Sequence, residues 1–483
     1  MADLPIDPDR DPGLDPDAIE PVTPRSRRLI TVIAIVLIVI TVLTGLAGVG
    51  LIRFQPTTEV VPSAPPDTAP VTAGMLAVVD PAGAIVTMDA TGGSPVRHEV
   101  QGVTFAFPAW SPDGTRFAAI GKGAGDAAVY VFSVATARGG PVTAPTIIYR
   151  SAQHQPFYLY WTPDGSALTF LTSEPGSVAL RQAPADASGP DTTLRMGNPM
   201  YWTWVNGGQL LVHSGGTADS FLGEIGLDGK PTPFAVDTPG MFRAPAVAGN
   251  GRYVAYVGTR PGASGEVVVK ARDASSRHAV AVFGPAAVGF DPNGDGLAFI
   301  GRAAPAAQDA SLPIGPLRLL DAASGSVRTL LDGAVVAFFW APDGRTIAAL
   351  RVPSPGEDRI AAGRARTGGS TIAGTVEAVA RGGPAPAVDV VEAPSLGLRL
   401  VFIDIASGAV RSQRTVHLTD TFVSQLLPFF DQYALSHRLW SPDSTSLVLP
   451  TIAEGGAGEI LVVKADGSDP VRVATGSVAF WEP

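Results

Sequence analysis

The chain has 483 residues, of which 16% are charged, whereas Gly and Pro together account for about a fifth. Such a turn-rich composition is typical of many short strands and argues against an all-helical fold. The net charge of −10 and the lack of a Lys/Arg cluster beyond residue 28 exclude an electrostatic nucleic-acid binder. Because the chain has no Cys, disulfides, thiolate catalysis and Cys-ligated zinc are excluded as well.

The first two segments of the chain differ in hydrophobicity. Residues 1–28 are rich in Asp-Pro steps and contain only scattered apolar residues, so we expect a disordered tail. Residues 29–52 are 24 uncharged, mostly apolar residues, and about 20 such residues suffice to cross a bilayer as a helix. The sequence therefore predicts one transmembrane helix.

Positive charge sets the expected orientation of this helix. Arg25, Arg27 and Arg28 precede it and only Arg53 follows closely, which predicts a cytoplasmic N-terminus and an extracytoplasmic C-terminal part, held in a bacterial cytoplasmic membrane. A cleavable signal peptide is the alternative, but its apolar core is shorter and ends at a small-residue site that this run lacks. Residues 53–74 are Pro-, Thr- and Ala-rich and predict an extracytoplasmic linker.

The rest of the chain, residues 75–483, repeats one turn motif. Four copies read Trp-x-Pro-Asp followed by Gly or Ser, and an apolar strand follows each copy. Their Trp, Asp and Gly positions are Trp110, Asp113, Gly114, Trp161, Asp164, Gly165, Trp340, Asp343, Gly344, Trp440 and Asp443. Weaker copies occur near Trp204, Ala248 and Phe290, and the chain ends on a truncated copy at Trp481.

Each residue type in the motif suits a hairpin turn. Pro fixes φ at the first turn position, Asp accepts hydrogen bonds from nearby backbone N–H groups, and Gly adopts the positive φ that other residues resist. The Trp ends an inner strand, where we expect its ring to pack between adjacent sheets. These residues are thus predicted to have structural roles.

The spacing of the motifs predicts an all-β fold, a β-propeller of four-stranded blades. Most intervals are 41 to 51 residues, with one gap of 100 residues, close to the roughly 40–45 residues of a propeller blade. The strands after Met75 lack an inner strand, and the segment ending at Trp481 supplies one, so the two termini are expected to close one blade. This gives eight blades, with seven as the alternative.

The repeated Trp-Ser-Pro-Asp-Gly turn, followed by an apolar strand and a strand ending in Asp-x-x-x-Gly, resembles the TolB-like, WD40-like propeller repeat over residues 75–483. The resemblance implies an extracytoplasmic protein-binding platform. This chain differs from TolB in its predicted membrane anchor, in lacking a recognisable separate α/β domain, and in having more than six repeats.

The search for catalytic and metal motifs gives no candidates. The peptidases that carry similar propellers have a Gly-x-Ser-x-Gly nucleophile elbow, which this sequence lacks. The stretch from Asp291 matches half of a calcium-binding loop, but Arg302 stands where a Glu is needed, so we interpret it as a hairpin turn. The six His residues have no zinc-site spacing. No catalytic, cofactor or metal residues are predicted.

Two irregular segments lie within the long gap. Residues 353–397 are rich in Gly, Ala and Pro and predict a flexible insertion between two strands of one blade. Residues 419–439 have apolar and aromatic residues at roughly helical spacing and predict a short helix over one mouth of the ring. The second segment has the candidate ligand or partner residues Asp431, Tyr433, His437 and Arg438. The alternative is that its aromatic side chains complete the core and its polar ones only fix the loop.

The favoured function is a non-enzymatic protein-binding platform in the bacterial cell envelope, with an envelope protein or peptide as partner and no cofactor. The alternative is a small-molecule or glycan binder that uses the propeller channel. A propeller-type lyase or hydrolase is a third hypothesis, less favoured since fold alone is no evidence of activity.

Overall fold

The computed structural model describes residues 74–483, except for 135–142, 206–207, 216–219, 236, 238, 261, 307–311, 355–396 and 454. The predicted tail (1–28), the predicted transmembrane helix (29–52) and nearly all of the predicted linker (53–74) lie outside the described residues, as does most of the predicted insertion (353–397). Within the described part, no helix has the length and hydrophobicity that a membrane span requires.

Twenty-nine strands make up most of the described chain. The first fifteen are β1 (Met75–Val79), β2 (Ile85–Asp89), β3 (Val96–His98), β4 (Thr104–Trp110), β5 (Arg116–Lys122), β6 (Ala127–Ser133), β7 (Thr146–Ser151), β8 (Pro156–Trp161), β9 (Ala167–Glu174), β10 (Ser177–Pro184), β11 (Thr192–Gly197), β12 (Met200–Val205), β13 (Gln209–Ser214), β14 (Phe221–Ile225) and β15 (Pro231–Ala235). The others are β16 (Ala246–Val247), β17 (Tyr253–Gly258), β18 (Gly265–Ala271), β19 (Arg277–Phe290), β20 (Gly296–Arg302), β21 (Gly315–Asp321), β22 (Val327–Trp340), β23 (Thr346–Arg351), β24 (Gly397–Asp404), β25 (Val410–His417), β26 (Ser446–Ile452), β27 (Gly458–Lys464), β28 (Val471–Thr475) and β29 (Val478–Trp481).

The strands form antiparallel sheets that follow one another along the chain. Blade 1 is β29-β1-β2-β3, and blades 2, 3 and 4 are β4 to β7, β8 to β11 and β12 to β15. Strands β16 to β25 form one continuous sheet that contains blades 5, 6 and 7, and β26 to β28 form blade 8. The described strands thus group into eight blades, as the motif spacing predicts.

Two long strands explain why blades 5, 6 and 7 are continuous. The first half of β19 pairs with β18 as the outer strand of blade 5, and its second half pairs with β20 as the inner strand of blade 6. The second long strand, β22, joins blades 6 and 7 in the same way. Gly284 and Gly333 lie between the two halves with φ of 90° and 97°, a conformation that Gly adopts without a Cβ clash. These glycines allow each strand to change blades without a loop.

Blade 1 is closed by the two ends of the described chain. Strand β29 pairs with β1 from Leu76↔Trp481 to Val79↔Val478, and both strands are almost entirely buried. This confirms the predicted terminal closure, which leaves neither strand as a free sheet edge.

The motif tryptophans join consecutive blades by hydrogen bonds as well as by packing. The Nε1 of Trp161 donates to the carbonyl of Ala109 at 2.8 Å, directly before the motif Trp of the preceding blade. Trp110, Trp340 and Trp440 repeat this bond, to the carbonyls of Phe480, Gly289 and Phe339. The predicted packing role therefore includes a directional bond between blades.

The motif turns have the predicted conformation. Asp113 Oδ1 accepts hydrogen bonds from Ser111 Oγ at 2.6 Å and from the backbone N–H of Thr115 at 3.0 Å, and Asp164 and Asp443 repeat the pattern. Within the described residues, Asp343 accepts only the backbone N–H bond, from Arg345, since Ala341 replaces the hydroxyl residue. The side-chain hydrogen bond from Ser111 is the main cause that lowers the pKa of Asp113 to about 2.

The fifth position of each motif has positive φ. The value is 65° at Gly114, 69° at Gly165 and Gly344, and 62° at Ser444, where a non-glycine residue adopts the same conformation. The stretch from Asp291 forms the equivalent turn between β19 and β20, as predicted.

Candidate functional site

Residues 419–439, here called the plug, connect β25 of blade 7 to the remnant of an inner strand in blade 8. The plug contains a π-helical turn (Phe422–Leu426), a 3-10 turn (Leu427–Phe429) and the α-helical turn α1 (Phe430–Tyr433). This agrees with the predicted helical insertion. The inner strand of blade 8 is reduced to an isolated bridge between Trp440 and Leu447.

The apolar side of the plug packs on inner strands around the ring. The most buried plug residues, Phe422, Leu426 and Phe430, are spaced four residues apart and are at most 1% exposed. The Phe430 ring lies 5.4 Å from that of Phe338 and 5.9 Å from that of Phe339 in blade 7. Burial of these large side chains is the main stabilising contribution, since each aromatic side chain removes about 150–250 Å² from water.

Asp431 forms a buried ion pair with Arg243, which lies between β15 and β16. The Nη2 and Nε of Arg243 donate to the two carboxylate oxygens of Asp431 at 2.6 and 3.0 Å, and its Nη1 donates to the carbonyl of Pro428 at 3.0 Å. The Asp431 side chain is 0% exposed and that of Arg243 is 9% exposed. Burial raises the pKa of Asp431, and the guanidinium of Arg243 opposes this shift.

Gln432 joins the plug to blades 3 and 4. Its Nε2 donates to the Tyr158 hydroxyl and to the Trp202 carbonyl, both at 2.9 Å, and its Oε1 accepts from the Trp202 backbone N–H at 3.2 Å. The Tyr158 hydroxyl in turn donates to the Gln432 carbonyl at 2.8 Å. Both polar atoms of the amide are therefore satisfied by inner strands.

His437 is bonded at both ring nitrogens. Its Nδ1 lies 2.7 Å from Ser436 Oγ, and its Nε2 lies 3.2 Å from the carbonyl oxygen of Phe107 in blade 2. The side chain is buried, and this burial lowers its pKa to about 4. His437 is consequently neutral at neutral pH.

Tyr433 lies at the centre of an aromatic cluster. Its ring is 5.0 Å from that of Phe107, 5.2 Å from that of Tyr158 and 5.1 Å from that of His437. Burial raises the pKa of Tyr433. The cluster places this plug residue against blades 2 and 3 at once.

Two β-bulges position the partners of the plug. Phe107 and Tyr158 each lie three residues before a motif Trp, have φ of 46° and 53°, and mark register shifts in β4 and β8. A bulge re-aims a side chain relative to the regular pleat. At both positions the re-aimed ring contacts Tyr433.

The four predicted site residues have different environments. Asp431, Tyr433 and His437 pack into the protein and bond or stack within it, as in the alternative interpretation of this segment, whereas Arg438 is exposed. Arg243 and Tyr158 complete the arrangement and were not among the predicted residues. An aromatic residue three positions before the motif Trp, in two successive repeats, is the sequence signal that could have identified Tyr158.

Within the described part of the chain, no group of three or more His, Asp or Glu side chains is arranged to hold a metal ion. The hydrogen bonds of Asp431, Gln432 and His437 to residues outside the plug hold this segment in place.

No protein-family model matches the chain, and no curated protein matches it. Among solved structures, it is 15% identical to TolB from Acinetobacter baumannii, with a TM-score of 0.38, covering 85% of this chain and 67% of TolB. It is 13% identical to apo AztD from Citrobacter koseri, with a TM-score of 0.47 and coverage of 86% and 99%.

A prolyl endopeptidase structure is 9% identical, with a TM-score of 0.48, and is matched over 79% of this chain and 50% of its own length. TolB structures are thus among those to which this chain is similar, while the β-propeller fold is established by the strand pairing itself.

Proposed function

We propose that this chain is a non-enzymatic binding platform of the bacterial envelope, which recognises a protein or peptide at the mouth covered by the plug. One observation carries the proposal. Phe157 and Phe429 are the only aromatic side chains among the large, exposed hydrophobic residues of the described chain, at 41% and 43% exposure. Exposed aromatic residues are typical anchors of protein interfaces.

Both phenylalanines belong to the plug face, the face of the ring where the inner strands begin. Phe429 is part of the plug, and Phe157 directly precedes Tyr158, whose hydroxyl bonds to the plug. The other large exposed hydrophobics are aliphatic side chains of outer strands or turns: Ile147, Met196, Leu227, Val327, Val410 and Val471. The aromatic pair is therefore confined to one face.

The hydrogen bonds of the plug side chains favour a binding role over a catalytic one. His437, the plug residue best suited to acid–base chemistry, is buried and bonded on both nitrogens. A neutral, fully bonded imidazole has no free nitrogen for a substrate proton.

Photo-crosslinking tests the proposed face. We expect a photoreactive phenylalanine at Phe157 or Phe429, introduced into the full chain in its native membrane, to form an adduct with the same protein. The matched control is Ser188, an exposed residue in the turn between β10 and β11 at the opposite face. Adducts formed equally at Ser188, or no protein adduct at either phenylalanine, would contradict the proposal.

The proposal includes the anchor at residues 29–52, with the N-terminus in the cytoplasm. Because the chain has no Cys, each introduced cysteine is unique. We expect a membrane-impermeant maleimide to label Ser188→Cys in intact spheroplasts and to label Ser26→Cys only after lysis. The reverse pattern would contradict the orientation, and release of the Ser188→Cys chain without detergent would contradict the anchor.

A further inference from the structure

Two of the weaker motif turns contain an Asn-Gly step where the strong copies have Asp-Gly. Asn250-Gly251 lies between β16 and β17, and Asn293-Gly294 lies between β19 and β20. Because Gly has no side chain to shield its backbone nitrogen, that nitrogen can attack the side-chain amide of a preceding Asn. The two steps share this chemistry, so any difference between them comes from the structure around them.

The step at Asn250 is held by hydrogen bonds on both reacting groups. Asn250 Oδ1 accepts from the backbone N–H of Arg252 at 2.9 Å, and its Nδ2 donates to Asp295 Oδ1 at 2.6 Å. The N–H of Gly251 donates to the carbonyl of Ala248 at 2.7 Å, and Gly251 is buried. Attack of the Gly251 nitrogen on the Asn250 amide therefore requires these hydrogen bonds to break.

The step at Asn293 is held less firmly. Asn293 Nδ2 donates to the carbonyl of Pro342 at 2.8 Å, but no group of the described residues donates to its Oδ1. The Gly294 nitrogen lies 3.4 Å from the carbonyl oxygen of Asp291, beyond the usual hydrogen-bond range of about 2.7–3.2 Å. Asn293 is exposed and Gly294 is half-buried, so water reaches this turn. Both reacting groups are thus freer here than at Asn250.

The turn itself requires the glycine that makes Asn293 vulnerable. A Cβ at residue 294 would lie 2.6 Å from Asp291 Oδ2, which is closer than non-bonded carbon and oxygen atoms approach. The other carboxylate oxygen of Asp291 accepts a hydrogen bond from the Asn293 backbone N–H at 2.9 Å, which holds the carboxylate in this position. A larger residue at 294 would therefore displace Asp291 from the turn.

We propose that Asn293 is a site of spontaneous deamidation, to which the structure directs the reaction in preference to Asn250. The backbone nitrogen of Gly294 forms a bond to Cγ of Asn293, and the side-chain amide leaves as ammonia with the proton of the Gly294 N–H. Water then opens the resulting succinimide ring at either carbonyl. The product at 293 is an aspartyl or isoaspartyl residue, and the reaction consumes only water.

The modification removes a link between blades 6 and 7. The Nδ2 donor to the Pro342 carbonyl is lost, and that bond joins the turn of blade 6 to the motif turn of blade 7. The new carboxylate lies next to that of Asp291, which is bonded to the backbone N–H of the same residue. Like charges at such short range repel each other. We therefore expect the modified chain to be less stable than the unmodified one.

Peptide mass analysis of the purified full-length chain after incubation at mildly alkaline pH tests this site. We expect conversion of the amide to a carboxyl group to be several-fold faster at Asn293 than at Asn250. In the denatured chain, where neither turn is formed, the two rates should become similar. No conversion at Asn293 in the folded chain, or equal rates at Asn250 and Asn293 in the folded chain, would overturn the proposal.

Substitutions separate the reaction from its consequence. Asn250→Gln is the matched control and should leave the rate at Asn293 unchanged, whereas a lower rate would contradict independent sites. Asn293→Asp reproduces the aspartyl product and should unfold at a lower temperature than the unaltered chain. Unchanged thermal unfolding of Asn293→Asp would contradict the weakened junction. None of these results depends on a protein partner at the plug face.

Discussion

The repeat turns and the plug both satisfy their polar side chains within the protein, but over very different distances along the chain. In the turns, Asp113 and Asp164 bond to residues two positions away. In the plug, Arg243 bonds to Pro428, 185 positions away, and His437 bonds to Phe107, 330 positions away. Local bonds define each repeat, and long-range bonds are what hold a non-repeating segment across the ring.

The largest expected effect comes from breaking the long-range pair. Asp431→Ala leaves the Arg243 guanidinium buried and uncompensated, so we expect a loss of about 3–5 kcal/mol in the free energy of unfolding. Chemical denaturation measures it. Arg150→Ala, which removes an exposed partner of Asp126, should cost less than about 1 kcal/mol. Similar losses in the two variants would contradict the difference between plug and surface.

The pH dependence of stability tests the buried histidines. His98, His213 and His437 each have a pKa lowered by burial to about 4, below the ordinary value of 6.5. The unfolded chain therefore takes up protons first, and stability present above pH 6.5 is lost as the pH falls towards 4. A shift of this size corresponds to about 3 kcal/mol per residue.

Unfolding free energies measured between pH 7 and 4 test whether stability falls with falling pH. His437→Gln should lose less stability over that interval than the unaltered chain, because one proton-linked group is removed. Ser188→Gln, a substitution at an exposed residue that removes no titratable group, is the control and should leave the slope unchanged. A steeper slope for His437→Gln would count against a buried, neutral His437.

A smaller effect separates two tryptophans that differ in bonding. Trp161 donates from Nε1 to the Ala109 carbonyl, whereas the Nε1 of Trp204 is buried and has no hydrogen-bond partner among the described residues. Trp161→Phe leaves the Ala109 carbonyl unpaired, so it should cost about 1–2 kcal/mol more than Trp204→Phe. Denaturation midpoints of the two variants provide the comparison, and equal values would show that packing alone joins the blades.

The smallest effect concerns the turn glycines. Gly114 and Gly344 have nearly the same φ, but a Cβ would lie 3.6 Å from its nearest neighbour at Gly114 and 2.3 Å from Asp291 Oδ1 at Gly344. Gly114→Ala should cost about 1 kcal/mol from backbone strain. Gly344→Ala should cost a few tenths more, since the Asp291 side chain must also move. Thermal melting shows which of the two variants is less stable. A larger loss of stability in Gly114→Ala than in Gly344→Ala would contradict the geometry.

The repeats could be predicted from the sequence because their structure is local. Pro, Asp and Gly act within five consecutive residues, so Asp113 and Gly114 have the predicted roles. The closure at Trp481 followed from a missing strand at one end and a spare strand at the other.

The plug shows where sequence reasoning stops. Its helical pattern was visible, but nothing near Asp431 in the sequence indicates Arg243 as its partner, 188 positions away. When the partner is not known, as from the sequence alone, Asp431 looks like a carboxylate that is available to a ligand. Arg438 is the predicted residue that stays exposed because its neighbours on both sides turn into the core.

Hydrogen–deuterium exchange of the full-length chain tests the central claim, that the plug closes one mouth of the ring as an ordered part of the fold. We expect the amides of residues 430–438 to exchange as slowly as those of the inner strands β8 and β12, and Asp431→Ala to accelerate their exchange selectively. Exchange of these amides in the unaltered chain as fast as in the exposed turn around Ser188 would contradict it.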